Sequence, residues 1–280
     1  GLDINVFGKR LSFFFNAHNH LFEEVAKFRA ARKMWAQIMK DLGATDPKAM
    51  MLRFHTQTGG ATLTAQQPLN NVARVTMQTL AAVLGGTQSL HTNGYDEALS
   101  LPTEAAAGLA LKTQQIVGFE SGATDTVDPL AGSYFVEKLT AEVETAALEL
   151  MAKIDAMGGS VSAIEEGFMQ DEIARSAYDY QRHIESGEKI IVGVNKFQSA
   201  ETYHTPVFKV DDSIRLGQIE KLKALRAKRD QAKVDTCLAA IHTAAINNTN
   251  LMPEVITAVE NNCTLGEISD VLRKLFGEYK

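Results

Sequence analysis

The side chains best suited to chemistry stand in two stretches, Arg53-Phe54-His55-Thr56-Gln57-Thr58-Gly59-Gly60 and Gly85-Gly86-Thr87-Gln88-Ser89-Leu90-His91-Thr92-Asn93. Each reads as a buried strand that ends in a polar cluster and a turn. Alternation along a strand puts Arg53, His55 and Gln57 on one face. Arg10, Ser12 and Phe14 share a face on the run before them. Neighbouring strands would set Arg10 and Ser12 beside His55 and Gln57, with Gln88 beyond. Such groups cannot stay unpaired in an interior, where each orphan costs about 1–3 kcal/mol. They need a polar ligand, water or one another. A thioester carbonyl and amide groups suit this lining better than a metal does. His55 has no Cys, Asp or Glu at ligand spacing, which argues against zinc, and no other metal ligand set stands out. No nucleophile elbow, P-loop or dinucleotide fingerprint occurs. The residues alone leave two readings open, a polar ligand site or a satisfied structural network.

The elements that must position these groups follow from periodicity. Residues 11–17, 50–57 and 87–92 read as strands. Residues 19–42 read as an amphipathic helix with Leu21, Val25, Phe28, Ala31, Trp35, Ile38 and Leu42 at helical spacing. Asn19 is the expected N-cap and Gly43 the expected stop. A second helix is expected over 67–84, and a helical turn from Asp96. Strands alternating with helices indicate a parallel sheet. Three strand–helix units cannot close a barrel of eight strands, so the choice is the C-terminal part of a (β/α)8 barrel or an open sheet covered by helices. Strand ends are where such a barrel places its ligand-binding groups.

The remainder reads as mainly helical. Helices are expected over 103–120, 136–157 (stopped by Gly158-Gly159), 170–186, 213–246, 252–261 and 264–276, with a short one after Gly159. Thr264 and Glu267 fit a capping box. Residues 189–195 look strand-like and 198–212 look like a loop. The long charged helix over 213–246 reads as a solvated face rather than a site for an acidic partner. The expected division is 1–105, strands and their helices, and 106–280, a mainly helical region.

Composition narrows the classes. Of 280 residues, 45% are hydrophobic and 22% charged, which is enough for a core, and the net charge of −6 argues against a nucleic-acid surface. No apolar run is long enough to span a bilayer, so no membrane role is expected. The two cysteines, Cys237 and Cys263, lack metal spacing and read as small buried apolar groups in a reducing compartment. The first residue is glycine, which points to a processed, split or truncated product.

Longer motifs are more specific. Arg10-Leu11-Ser12-Phe13-Phe14, Arg53 to Thr58, Leu63-Thr64-Ala65-Gln66-Gln67-Pro68, Gly85 to Asn93 and Asp96-Glu97-Ala98-Leu99 occur in order. Asp128-Pro129, Gly132-Ser133-Tyr134, Val192-Gly193-Val194-Asn195-Lys196 and Phe276-Gly277-Glu278-Tyr279-Lys280 follow. Together they resemble the methylmalonyl-CoA mutase family across essentially the whole chain.

That resemblance implies a substrate-binding (β/α)8 barrel, a helical connecting region and a flavodoxin-like cobalamin domain on the same or a separate chain. Coenzyme A threads the barrel and adenosylcobalamin covers its C-terminal mouth, where homolysis of the cobalt–carbon bond starts a radical rearrangement. It puts Arg10, Ser12, Phe14, His55, Gln57 and Gln88 on the acyl-CoA. It puts Gly60, Ala61, Glu97, Ala98 and Ser100 against the corrin. Phe14 as plain core, and Glu97 as a carboxylate at a helix start, stay open as alternatives. Three departures accompany it. Ala61 and Gly59 stand where well-known members carry tryptophan and serine, which leans toward ethylmalonyl-CoA or two-chain mutases. No Asp-x-His-x-x-Gly motif supplies a lower cobalt ligand. The barrel's N-terminal part, with the catalytic histidine and the acyl-recognising tyrosine and arginine, is not among these residues, so no catalytic residue is assigned.

The expected function is therefore a segment of an acyl-CoA mutase, inactive alone. Its expected partners are an N-terminal half-barrel chain, a cobalamin-binding domain or subunit, and further copies in an oligomer. The expected location is cytoplasmic, or the mitochondrial matrix in a eukaryote. The alternative is a non-catalytic assembly or docking module derived from the barrel.

Overall fold

A computed structural model of the protein describes residues 1–200 and 206–278. The chain divides into two compact units, Gly1–Phe208 and Lys209–Lys280. The first unit extends past the expected division at 105/106.

The first unit is α/β. A short helix α1 (Ile4–Phe7) and a 3-10 turn (Gly8–Arg10) lead into β1 (Phe13–Ala17). Then come α2 (Leu21–Asp41), β2 (Phe54–Thr58), α3 (Asn70–Leu84) and β3 (Ser89–His91). The strands form one parallel sheet in the order β1-β2-β3. Parallel neighbours need a crossover, and α2 and α3 supply it. Among the described residues, neither outer edge of the sheet is paired.

The two faces of the sheet differ in chemistry. Phe13, Phe15, Ala17, Phe54 and Leu90 pack toward Phe28, Ala31, Trp35 and Ala82 of α2 and α3. Phe28 is fully buried, stacked on Phe54 at 5.1 Å and edge-on to Phe15 at 5.9 Å. Gly85 ends α3 where a Cβ would run into the Phe28 ring, so the close approach needs glycine. The opposite face carries Phe14, Asn16, His55, Gln57, Ser89 and His91, and no helix among the described residues covers it.

After β3 the chain is helical: α4 (Glu104–Phe119), α5 (Tyr134–Ala156), α6 (Ser160–Glu165) and α7 (Phe168–Glu185). α4 packs on α3 and α5 packs on α2. Arg29 of α2 joins the second pair of helices. Its Nη2 lies 2.7 Å from Glu137 and its Nε 3.1 Å from Asp128. The Arg29 hydrogen bond holds the Glu137 carboxyl below its usual range. The second unit holds α8 (Asp212–Lys228), α9 (Gln231–Ile246), α10 (Met252–Glu260) and α11 (Leu265–Phe276). Val234, Cys237, Ile241, Ala258, Cys263 and Ile268 form its core, so both cysteines are buried, and burial pushes the Cys263 thiol up.

Four expectations are corrected. Asn19 does not cap α2. His20 holds that position, and the Asn19 carbonyl instead accepts from Gln78 Nε2 at 2.5 Å. Residues 189–195 form no strand. Gly193 has φ +81°, and the Asn195 side chain binds Ile191 N, Ile184 O and Lys189 O, which folds the run into a turn. The single helix over 213–246 is two, because Asp230 caps the amides of Ala232 and Lys233 and starts α9. Arg10 lies in the 3-10 turn and Ser12 precedes β1, so the register does not set them beside His55 and Gln57. Gly43 (φ +93°), the Gly158-Gly159 stop and the Thr264–Glu267 capping box stand where expected. The loop expected over 198–212 falls partly on residues 201–205, and the terminal motif partly on 279–280, which lie outside the described residues.

Candidate ligand-binding face

The uncovered face of the sheet is built in two rows by the strand register. Phe14, His55 and Ser89 form one row, and Asn16, Gln57 and His91 the next. The His55 Nδ1 lies 2.7 Å from Ser89 Oγ, and the Phe14 ring centre lies 5.1 Å from the imidazole. Phe14 is 61% exposed, so it does not serve as core within this chain. A large aromatic beside hydrogen-bonding groups suits a ligand with both apolar and amide-like parts.

The C-terminal ends of the strands make a rim. Gln57 Nε2 donates to Asn93 Oδ1 at 2.7 Å. Asn93 is 2% exposed, and it binds Thr58 twice: its amide donates to Thr58 Oγ1 and its Nδ2 to Thr58 O, both at 2.9 Å. Gly60 and Ala61 lie in a 3-10 turn after β2. A Cβ on Gly60 would sit 2.9 Å from Asn93 Nδ2 and 3.4 Å from Glu97 Cγ. The fold therefore brings Gly60 and Glu97 together. Ala61 and Ala98 are exposed on the same rim. Ser100 Oγ donates to Leu101 O and accepts from Phe208 N at 3.2 Å. The turn carrying Glu97 is held by Asp96, whose buried carboxylate accepts from Thr103 N and Oγ1 at 2.9 Å each.

Arg10, Ser12 and Gln88 stand at the other end of the strands, and all three are exposed. Gln88 does not share the face of Ser89 and His91. Its Oε1 accepts from Phe54 N at 2.7 Å, which completes the strand ladder where β3 has not yet begun. It also borders a cavity of about 700 Å³ with Arg32, Thr87 and Asp128. The expected site residues thus separate into an N-terminal group (Arg10, Ser12, Gln88), a central trio (Phe14, His55, Gln57) and a rim.

Three residues of the face, Asn16, Ser89 and His91, and one of the rim, Asn93, were not assigned a role. The alternation that selected His55 and Gln57 also selects Ser89 and His91 once the start of β3 is known. Asn16 follows from Phe14 by the same step. Asn93 lies past the strand, in the polar cluster that ends the second stretch, but nothing local marks it as the partner of Gln57. Among the described residues, no group of three or more His, Cys, Asp or Glu side chains is placed to hold a metal, and no helix is long and apolar enough to cross a membrane.

Comparison with known proteins covers the whole chain. The family model described as Methylmalonyl-CoA mutase matches residues 1–278. The chain is 46% identical over 280 residues to methylmalonyl-CoA mutase of Escherichia coli (strain K12), covering all of this chain and 39% of that protein. It is 44% identical over 283 residues to the 2-hydroxyisobutanoyl-CoA mutase large subunit of Aquincola tertiaricarbonis, covering 100% and 50%. It is 44% identical over 283 residues to the mitochondrial methylmalonyl-CoA mutase of Homo sapiens, covering 100% and 38%. The chain spans half or less of the length of these relatives.

Proposed function

Because the chain belongs to the methylmalonyl-CoA mutase family, we propose that it forms part of the acyl-CoA-binding barrel of an adenosylcobalamin-dependent mutase. The observation that carries this reading is the uncovered sheet face, whose two rows of polar groups and Phe14 are ordered by the register. On this reading β1, β2 and β3 are the last strands of a (β/α)8 barrel and the uncovered face is its interior. The unpaired outer edges of β1 and β3 are where the remaining strands pair. Residues 1–105 supply the barrel strands and their helices, and 106–280 the connecting region.

His55, Gln57 and Phe14 line the acyl-CoA channel midway along the strands. Arg10 and Ser12 meet the coenzyme A portion toward the N-terminal end, with Arg10 near its polar groups, and Gln88, off this face, braces that end of the channel by holding Phe54 N. The rim residues Gly60, Ala61, Glu97, Ala98 and Ser100 face the corrin. They fit one side of such a group, because the small residues Gly60 and Ala61 keep the rim low beside Glu97. The lower cobalt ligand is assigned to a cobalamin-binding domain outside these 280 residues. When bound, adenosylcobalamin supplies the radical for a carbon-skeleton rearrangement. This chain's residues bind and orient the thioester and keep water from it.

Calorimetry tests the reading. The chain, joined by a polypeptide that supplies the other barrel strands, is titrated with propionyl-CoA. Binding is expected, and His55→Ala should weaken it about tenfold, the worth of one charged or well-placed hydrogen bond. No binding, or no effect of the substitution, overturns the reading. The 280 residues alone, given adenosylcobalamin and methylmalonyl-CoA, should form no succinyl-CoA; turnover by them alone refutes the division of labour.

A further inference from the structure

The hydrogen bonds behind Gln57 form a chain with one allowed direction. The Thr58 carbonyl is an acceptor only, so the Asn93 atom 2.9 Å from it must be the NH2 group. That fixes the other Asn93 atom as the carbonyl oxygen. It lies 2.7 Å from Gln57, so it must receive the Gln57 NH2. Neither amide can turn over without setting two acceptors, or two donors, against each other. Asn93 is 2% exposed and Thr58 fully buried, so water does not substitute for these bonds. Gly60 leaves room for the Asn93 NH2, since a Cβ there would press on it at 2.9 Å. What remains is Gln57 Oε1. It accepts from no group among the described residues and is not among the buried orphan atoms, so it is accessible on the uncovered face.

We propose that Asn93 is a positioning residue that makes Gln57 present its carbonyl oxygen to the ligand, so that the ligand group meeting Gln57 is a hydrogen-bond donor. The identity of that donor rests on the acyl-CoA reading above: it is an amide N–H of the pantetheine arm, and the thioester carbonyl, an acceptor, lies elsewhere. The face therefore discriminates along the ligand. Gln57 takes a donor, while one row below, His55 paired to Ser89 keeps its second ring nitrogen for the ligand.

Two measurements test this. The first needs no ligand. In Gln57→Glu the introduced carboxyl would face the Asn93 carbonyl oxygen, so its pKa, read by NMR, should rise above that of a free glutamate. Adding Asn93→Ala should return it toward the free value. A lowered or unshifted carboxyl in the single variant overturns the proposal, because it would mean that Asn93 offers its NH2. Backbone amide exchange across Phe54–Thr58 in both variants shows that the sheet is intact. The second compares propionyl-CoA with an analogue N-methylated at its pantetheine amides, using the chain joined by the rest of the barrel. N-methylation should weaken binding about tenfold in the wild type and leave Gln57→Met unaffected. An equal loss in both proteins overturns the donor assignment. If the wild type binds neither compound, the acyl-CoA reading fails, and the carboxyl titration still decides the role of Asn93.

Discussion

Glu267→Gln should destabilise the second unit in a pH-dependent way. Arg229 grips Glu267 with two bonds, Nη1 to Oε2 and Nη2 to Oε1, both 2.7 Å, while its side chain is only 4% exposed. The Thr264 backbone amide donates to the same carboxyl at 2.9 Å, and the Thr264 hydroxyl accepts from the Glu267 backbone amide, which closes the capping box. The Arg229 hydrogen bond is the main reason that the Glu267 carboxyl titrates at about 2 rather than the ordinary 4.5. At about 1.4 kcal/mol per unit, that gap corresponds to at most about 3–4 kcal/mol. A fifth of the Glu267 side chain stays in water, so about 2–3 kcal/mol is expected. The folded-state value lies below the unfolded one. The stabilisation is therefore complete above about pH 5 and drains away as pH falls through 4.5 toward 2. The difference between wild type and Glu267→Gln should shrink by about 2 kcal/mol between pH 7 and pH 3. Urea unfolding followed by hydrogen exchange in peptides from residues 231–278 isolates this unit. A difference that is the same at both pH values would refute the reasoning, because it would locate the stabilisation in packing and not in the charge.

Phe28→Ala should cost about 3–5 kcal/mol, since it empties the space between Phe54 and Phe15, and Trp35 fluorescence in urea would read it. Gly85→Ala should cost about 1–3 kcal/mol by forcing a methyl group against Phe28 and the Ala81 carbonyl; an unchanged melting midpoint would contradict the close approach. Arg29→Met should release α5 from α2 and speed amide exchange in residues 134–145, while exchange in β2 stays slow.

Much of the fold was legible because it rests on periodicity. The Val25, Phe28 and Trp35 stripe named α2, and alternation named β2. Gly43 and Gly158-Gly159 marked stops because they carry positive φ. The failures have a common cause, which is side chains bonding to distant or non-regular partners. Asn19 has the chemistry of a cap but spends its carbonyl on Gln78, 59 residues away. Asn195 binds two backbone groups of its own segment and one at the end of α7, which takes the run out of strand geometry. Asp230 divides a run that apolar spacing read as continuous.

The sequence by itself determined the family, the strand–helix order and the presence of His55 and Gln57 on one strand face, because motif identity and the two-residue period are local properties. Register, polarity and partnership belong to the tertiary structure. Parallel pairing set Phe14, not Ser12, beside His55, and brought Ser89 and His91 onto the face in place of Gln88. The direction of the Gln57 amide was decided further away, by a buried backbone carbonyl of Thr58 acting through Asn93. An amide side chain has a donor end and an acceptor end of nearly equal shape. Only the groups packed against it decide which end faces the ligand.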